Sequence, residues 1–93
     1  MNHRIVKVKS VSVKGLYKIN VLFDDGTEQT IDMEPLLKGP LFGPLKDVNL
    51  FRQVQVDAEV ATIVWPNGAD FDPAILYEWK KYELEFKMRA AQW

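Results

Sequence analysis

The amino-acid sequence predicts an α+β domain. It should combine a small, mostly antiparallel sheet of about five strands built from two hairpins, a Gly-Pro-rich connecting lid and one C-terminal helix. Three observations lead there. Alternating apolar and polar residues surround short turn signals in "IVKVKSVSVKGLYKINVLFDDGT" and in "VQVDAEVATIVW". "GPLFGPL" repeats Gly-Pro-Leu at Gly39 and again at Gly43, and its prolines rule out a long helix or an interior strand. Beyond Asp72, apolar residues step by four, three and four, the spacing of one helix face.

In the first strand the alternation slips. Val6 and Val8 share one parity, Val11 and Val13 the other. A strand with one buried face must absorb that slip as a bulge or a bend. Lys14-Gly15 reads as a turn. The next strand sets Tyr17, Ile19, Val21 and Phe23 on one face and Lys18 and Asn20 on the other. "DDGT" is a hairpin signal because Gly26 supplies the positive φ that tight turns need. "TEQTID" is the returning strand, short and polar, with Ile31 pointing inward.

The middle is less regular. Helical turns are expected around Glu34 to Leu37 and around Asp47 to Phe51, with a compact loop between them. Leu36, Leu37, Leu41, Phe42, Leu45 and Leu50 are too apolar for a free linker, so they should fold back as a lid over one end of the core. The second hairpin turns at Asp57 to Glu59. Unbroken apolarity in "VATIVW" predicts a central strand covered on both faces, with Trp65 buried at its end.

"WPNGADFDP" then reads as structural. Pro66 ends the strand and Asn67-Gly68 turns the chain. Asp72-Pro73 is a helix N-cap followed by proline at the first helical position, where its missing donor costs nothing. The helix should run from Pro73 to the C-terminus. Its stripe is Ile75, Trp79, Tyr82, Phe86, Ala90 and Trp93, and Glu83–Lys87 and Glu85–Arg89 should form i,i+4 ion pairs.

At 93 residues, 47% apolar and 27% charged, the composition is that of one ordinary globular domain, read as a core over 1–77 and a helical extension over 78–93. The absence of cysteine excludes disulfides, thiolate metal sites and thiol catalysis. No run approaches membrane-spanning length and "MNHRIVKVKS" has no apolar signal core, so a cytoplasmic setting without membrane contact is expected. The net charge of −1 hides a polarity. Residues 1–23 carry Arg4, Lys7, Lys9, Lys14 and Lys18 with no acid, whereas the stretch 24–79 is strongly acidic. Those basic strands could face nucleic acid, but phosphate binding usually needs a denser cluster, and neutralisation of the acidic middle is favoured.

Candidate chemistry is sparse. Asp70 and Asp72 form an Asp-x-Asp that could hold Mg²⁺ or Mn²⁺, yet two carboxylates fall far short of the six oxygens hard cations take. The alternative is that Asp72 caps the helix and Asp70 braces the turn. His3 is the sole histidine, at a terminus, and Ser10 and Ser12 sit in a strand beside lysines. "KGPLFGPLKD" lacks the Gly-Lys-Ser/Thr of a phosphate loop, and no cofactor is expected. An aromatic helix of this length carries more apolar surface than a small core obviously needs.

"YKINVLFDDGTEQTIDMEPLL", "GPLFGPLKDVNLFRQVQVD" and "TIVWPNGADFDPAILY" together resemble the domain of unknown function 2442 family of small bacterial proteins. The resemblance spans roughly Ile5 to Tyr77. It rests on a strand ending in Phe-x-Asp-Gly, a "pLrD…F" segment and a "WpnGaDidPe.LY" signature. It implies an α+β fold with no established activity, and genes that often neighbour a second small family, an arrangement suggestive of toxin–antitoxin pairing. Some members continue into a helix-turn-helix. Here the residues after Tyr77 leave room for one helix and not for a DNA-reading domain. The expectation is therefore a non-enzymatic interaction domain, an antitoxin-like or accessory subunit. It would meet a protein partner or a second copy through Leu41, Phe42, Trp79, Tyr82, Phe86 and Trp93. A metal-dependent module using Asp70 and Asp72 and a nucleic-acid-binding domain using Arg4, Lys7, Lys9 and Lys18 are the alternatives.

Overall fold

The computed structural model describes residues 6–92. Strands β1 (Val8–Val13), β2 (Lys18–Phe23) and β3 (Glu28–Asp32) form an antiparallel meander in the order 1-2-3. The slip in β1 is a bulge. Val8 stands opposite Phe23 but Ser10 stands opposite Leu22, which leaves Lys9 as the extra residue. After it, Val11 faces Val21 and Val13 faces Ile19. Directly paired residues share a face, so the bulge puts Val8, Val11 and Val13 on the same side despite their mismatched parity. That side also carries Ile19, Val21, Phe23 and Ile31, all fully buried.

Tyr17 departs from the expected strand. It adopts φ of 62° in the loop joining β1 to β2, beside Gly15 at φ of 122°. The Lys14 amide closes that loop on the Lys18 carbonyl at 2.8 Å.

The Gly-Pro-rich middle is a chain of single turns: a 3₁₀ turn at Glu34–Leu36, α1 (Gly39–Phe42), a second 3₁₀ turn at Gly43–Lys46, and α2 (Val48–Phe51). Each of the first three carries a proline at its first or second position, where a helix tolerates it. Asp47 caps α2 by accepting from the Asn49 amide at 2.9 Å. Leu36, Leu37, Leu45 and Phe51 are buried, so half of the expected lid is core itself.

The remaining strands, β4 (Gln55–Asp57) and β5 (Thr62–Val64), make a separate two-stranded sheet. A hydrogen bond of 3.0 Å from the Val8 amide to the Ala61 carbonyl joins it to the meander. Among the described residues β5 is not the centre of a five-stranded sheet: it pairs with β4 on one side and bridges Val64 to Asp70 on the other. Burial of consecutive Thr62 and Ile63 shows that both of its faces are nevertheless covered.

The C-terminal segment is two helices, α3 (Pro73–Tyr77) and α4 (Trp79–Ala90), instead of one. The break at Glu78 has a tertiary cause. In a continuous helix the Tyr77 carbonyl would accept from the Lys81 amide. Instead it accepts Gln29 Nε2 from β3 at 2.7 Å, while the Lys81 amide turns to the Glu78 carbonyl at 2.9 Å. α4 then lies against the Glu34–Leu36 turn. None of the helices among the described residues is long and apolar enough to cross a membrane.

Candidate partner-docking face

The segment that follows β5 is built as scaffold. The Trp65 amide donates to the Ala69 carbonyl at 2.8 Å and the Gly68 amide to the Trp65 carbonyl at 2.9 Å, closing a three-residue loop with Gly68 at φ of 91°. Pro66 and Asn67 occupy the exposed tip. Asn67 Oδ1 accepts from the Ala69 amide at 3.1 Å, and its Nδ2 donates to the Leu41 carbonyl in α1 at 2.8 Å. Trp65 is 1% exposed, its indole N–H bonded to the Phe51 carbonyl at 3.0 Å and its ring set against Phe42 and Phe51.

Asp72 Oδ1 accepts from the Ala74 amide at 2.8 Å ahead of Pro73, which is an N-cap in both backbone and side chain. Asp70 is exposed and belongs to the bridge with Val64. Among the described residues, no three of His, Asp or Glu gather into a group that could hold a metal ion.

Tyr77 anchors α3 to the meander. Its ring meets Phe23 edge-on with centroids 5.0 Å apart, and its hydroxyl donates to Asp25 in the β2–β3 turn. Thr27 Oγ1 donates to the same hydroxyl at 3.3 Å. A second polar tie is buried: the Thr62 hydroxyl donates to the Phe71 carbonyl.

The helix α4 has two apolar faces, and the expected one is turned inward. Trp79 is 3% exposed and Ala90 fully buried. Phe86 is half-buried, with its ring 6.0 Å from that of Trp79 and 5.9 Å from that of Phe71. Trp79 and Phe86, read from the sequence as partner-binding, thus help close the core. Tyr82 and Phe42 are also half-buried, Phe42 against Trp65 and Phe71. Leu41 is exposed. Trp93, His3 and Arg4 lie outside the described residues.

The exposed apolar residues of α4 are Leu84 and Met88, 70% and 64% exposed. They flank a shallow depression of about 590 Å³ together with Lys81, Glu85, Arg89 and Gln92. At 100° per residue they lie one above the other on the side of the helix away from Trp79 and Phe86. The predicted ion pairs border them: Glu83–Lys87 at 3.0 Å and Glu85–Arg89 at 2.8 Å. Sequence reasoning passed over Leu84 because the aromatic stripe dominates the periodicity. Its signal was an i,i+4 apolar pair out of phase with that stripe.

A second apolar feature was also missed. Exposed Leu16 and Val48 border a groove of about 300 Å³ between the β1–β2 loop and α2. Among the described residues, the lysines of the first two strands do not gather. Lys7 and Lys9 stand at one end of the β1–β2 pair and Lys14 and Lys18 at the other, roughly 17 Å away at about 3.3 Å per residue. Lys18 stands opposite Asp32 in the β2–β3 register.

Fold and surface thus define a small α+β domain in which the conspicuous turn motifs hold structure and an uncovered apolar pair rides on the last helix. The chain belongs to the family described as a protein of unknown function (DUF2442), whose profile matches residues 8–82. The match takes in the five strands of the described residues and the first residues of α4. No curated protein and no solved structure matches the chain.

Proposed function

We propose that this chain is a non-enzymatic protein-interaction domain that docks a protein partner through the outer face of α4. One observation carries the reading: Leu84 and Met88 stand exposed one turn apart on a helix whose other face packs into the core through Trp79, Phe86 and Ala90. Exposed single apolar residues need no explanation, but an adjacent pair framed by charged residues is the composition of a docking patch with a polar rim. Two residues of the stretch that suggested chemistry have structural employment, Asp72 capping α3 and Asn67 tying α1, which supports a binding reading over an enzymatic one.

The finer reading is an antitoxin-like or accessory subunit acting in the cytoplasm. The gene pairing implied by the family resemblance supplies the natural partner, the product of the adjacent gene. Co-expression tests it. A stoichiometric complex should survive purification with the wild-type chain and be lost with Leu84→Asp combined with Met88→Asp, while circular dichroism stays unchanged. Absence of any complex, or a complex indifferent to both substitutions, counts against the reading. Specific Mg²⁺ binding abolished by Asp70→Asn, or salt-sensitive retention of DNA, would replace it with a metal or nucleic-acid function.

A further inference from the structure

The segment Glu83-Leu84-Glu85-Phe86-Lys87-Met88-Arg89 reads almost as its own complement when reversed. Glu83 maps onto Arg89, Leu84 onto Met88 and Glu85 onto Lys87, with Phe86 at the centre. We infer that the outer face of α4 pairs with α4 of a second copy of this chain, antiparallel, about a two-fold axis at the level of Phe86. The inference rests on the interaction reading and names the partner for the same face.

The geometry follows from helix phase. With Leu84 and Met88 at the centre, Glu85 and Arg89 fall on one flank and Glu83 and Lys87 on the other. When two copies meet antiparallel about such an axis, each flank faces the same flank of the other copy. Leu84 then packs on the second copy's Met88. On one side Glu85 approaches that copy's Arg89, and on the other Glu83 approaches its Lys87. Each flank therefore makes two acid–base approaches, because on each the acid precedes the base by four residues, against one like-charge approach across the axis itself, Glu85 to Glu85 on one side and Lys87 to Lys87 on the other.

A parallel pairing would bring opposite flanks together, with two like-charge approaches on each side, Glu85 beside Glu83 and Lys87 beside Arg89, against one approach of Glu85 to Lys87. The charge order thus selects one orientation, a use of repulsion as much as of attraction. Within one chain each carboxylate already touches its base at 2.8 to 3.0 Å, yet all four side chains remain substantially exposed and keep free donors and acceptors. A face of two apolar residues on a 12-residue helix is far smaller than a standard interface of about 1,600 Å², so the dimer should be weak and fast.

Sedimentation equilibrium of the full chain should show a monomer–dimer equilibrium with a midpoint on the order of 0.1–1 mM. Leu84→Asp with Met88→Asp should leave a folded monomer. The decisive variant reverses every flank charge: Glu83→Lys, Glu85→Lys, Lys87→Glu and Arg89→Glu. It keeps an i,i+4 ion pair at both places, in the less favourable base-first order, and its own antiparallel complementarity, so with helix content confirmed by circular dichroism it should associate with itself within about threefold of wild type. Mixed with wild type it makes two like-charge approaches on each flank against one acid–base approach, and energy transfer between labelled chains should show mixed dimers weakened at least about tenfold.

Mixed dimers as tight as either parent, or a dimer that survives Leu84→Asp with Met88→Asp, would overturn the pairing. So would a monomer at every concentration reached. In that last case, a complex with the adjacent gene product through Leu84 and Met88 leaves the interaction reading standing with a different occupant. Loss of both removes the reading as well.

Discussion

The turns at Phe23–Thr27 and Trp65–Ala69 have the same backbone and opposite attachments. Each begins with a buried aromatic residue whose amide reaches the carbonyl four residues on, at 2.8 Å in both. Each returns a glycine amide to the aromatic carbonyl, at 3.0 Å from Gly26 and 2.9 Å from Gly68. Asp25 and Asn67 occupy equivalent positions, and Oδ1 of each accepts from the amide just beyond the glycine.

The remaining side-chain atom separates them. Asp25 Oδ2 accepts from the Tyr77 hydroxyl, whereas Asn67 Nδ2 donates to the Leu41 carbonyl. A carboxylate can only accept, and an amide supplies two donors. One local design is therefore specialised by a single atom, to hold a tyrosine on α3 in one case and a backbone oxygen of α1 in the other. Local form and distant role are separate properties of a turn.

The largest test of this parallel is at the aromatic position. Trp65→Ala should lower stability by about 3–5 kcal/mol, because it empties a site closed by Phe42 and Phe51 and leaves the Phe51 carbonyl with the longer bond from the Val54 amide, at 3.3 Å. Denaturant midpoints measure it. A midpoint near wild type would mean that the second turn does not close over a core as the first does.

The glycines probe the shared backbone. Gly26 and Gly68 sit at φ of 90° and 91°, and a Cβ at either would meet nothing within 4 Å. Gly26→Ala and Gly68→Ala should therefore each cost about 1–2 kcal/mol from the left-handed backbone alone. Equal losses sharpen the equivalence of the two turns, and clearly unequal ones break it.

The smallest expected effect isolates the difference. Asn67→Asp keeps the acceptor for Ala69 and forfeits the donor to Leu41, for about 0.5–1.5 kcal/mol. Amide exchange should quicken in α1 and hardly at all in β5. Uniform loss across the domain would show that the amide braces the turn itself and not the lid.

Much of this molecule could be read along the chain, and the reason is the range of the forces involved. The parity slip between Val8 and Val11 required a bulge, because a strand has only two faces. Phe-Asp-Asp-Gly and Trp-Pro-Asn-Gly specified tight turns through the conformational freedom of glycine. The prolines from Pro35 to Pro44 confined the middle to single helical turns, and Asp72-Pro73 marked a helix start. All of these act over a few residues, where covalent geometry leaves few choices.

What the sequence left open depended on partners far along the chain. Gln29 captures the Tyr77 carbonyl and breaks a helix that periodicity alone would continue. A bond from Val8 to Ala61 joins two sheets where one was expected. Phe71 and Trp79 enclose Phe86, turning a stripe that looked available inward and leaving Leu84 and Met88 outside. Periodicity shows that a helix has an apolar face, but only packing against other segments decides which of its apolar residues remain in water.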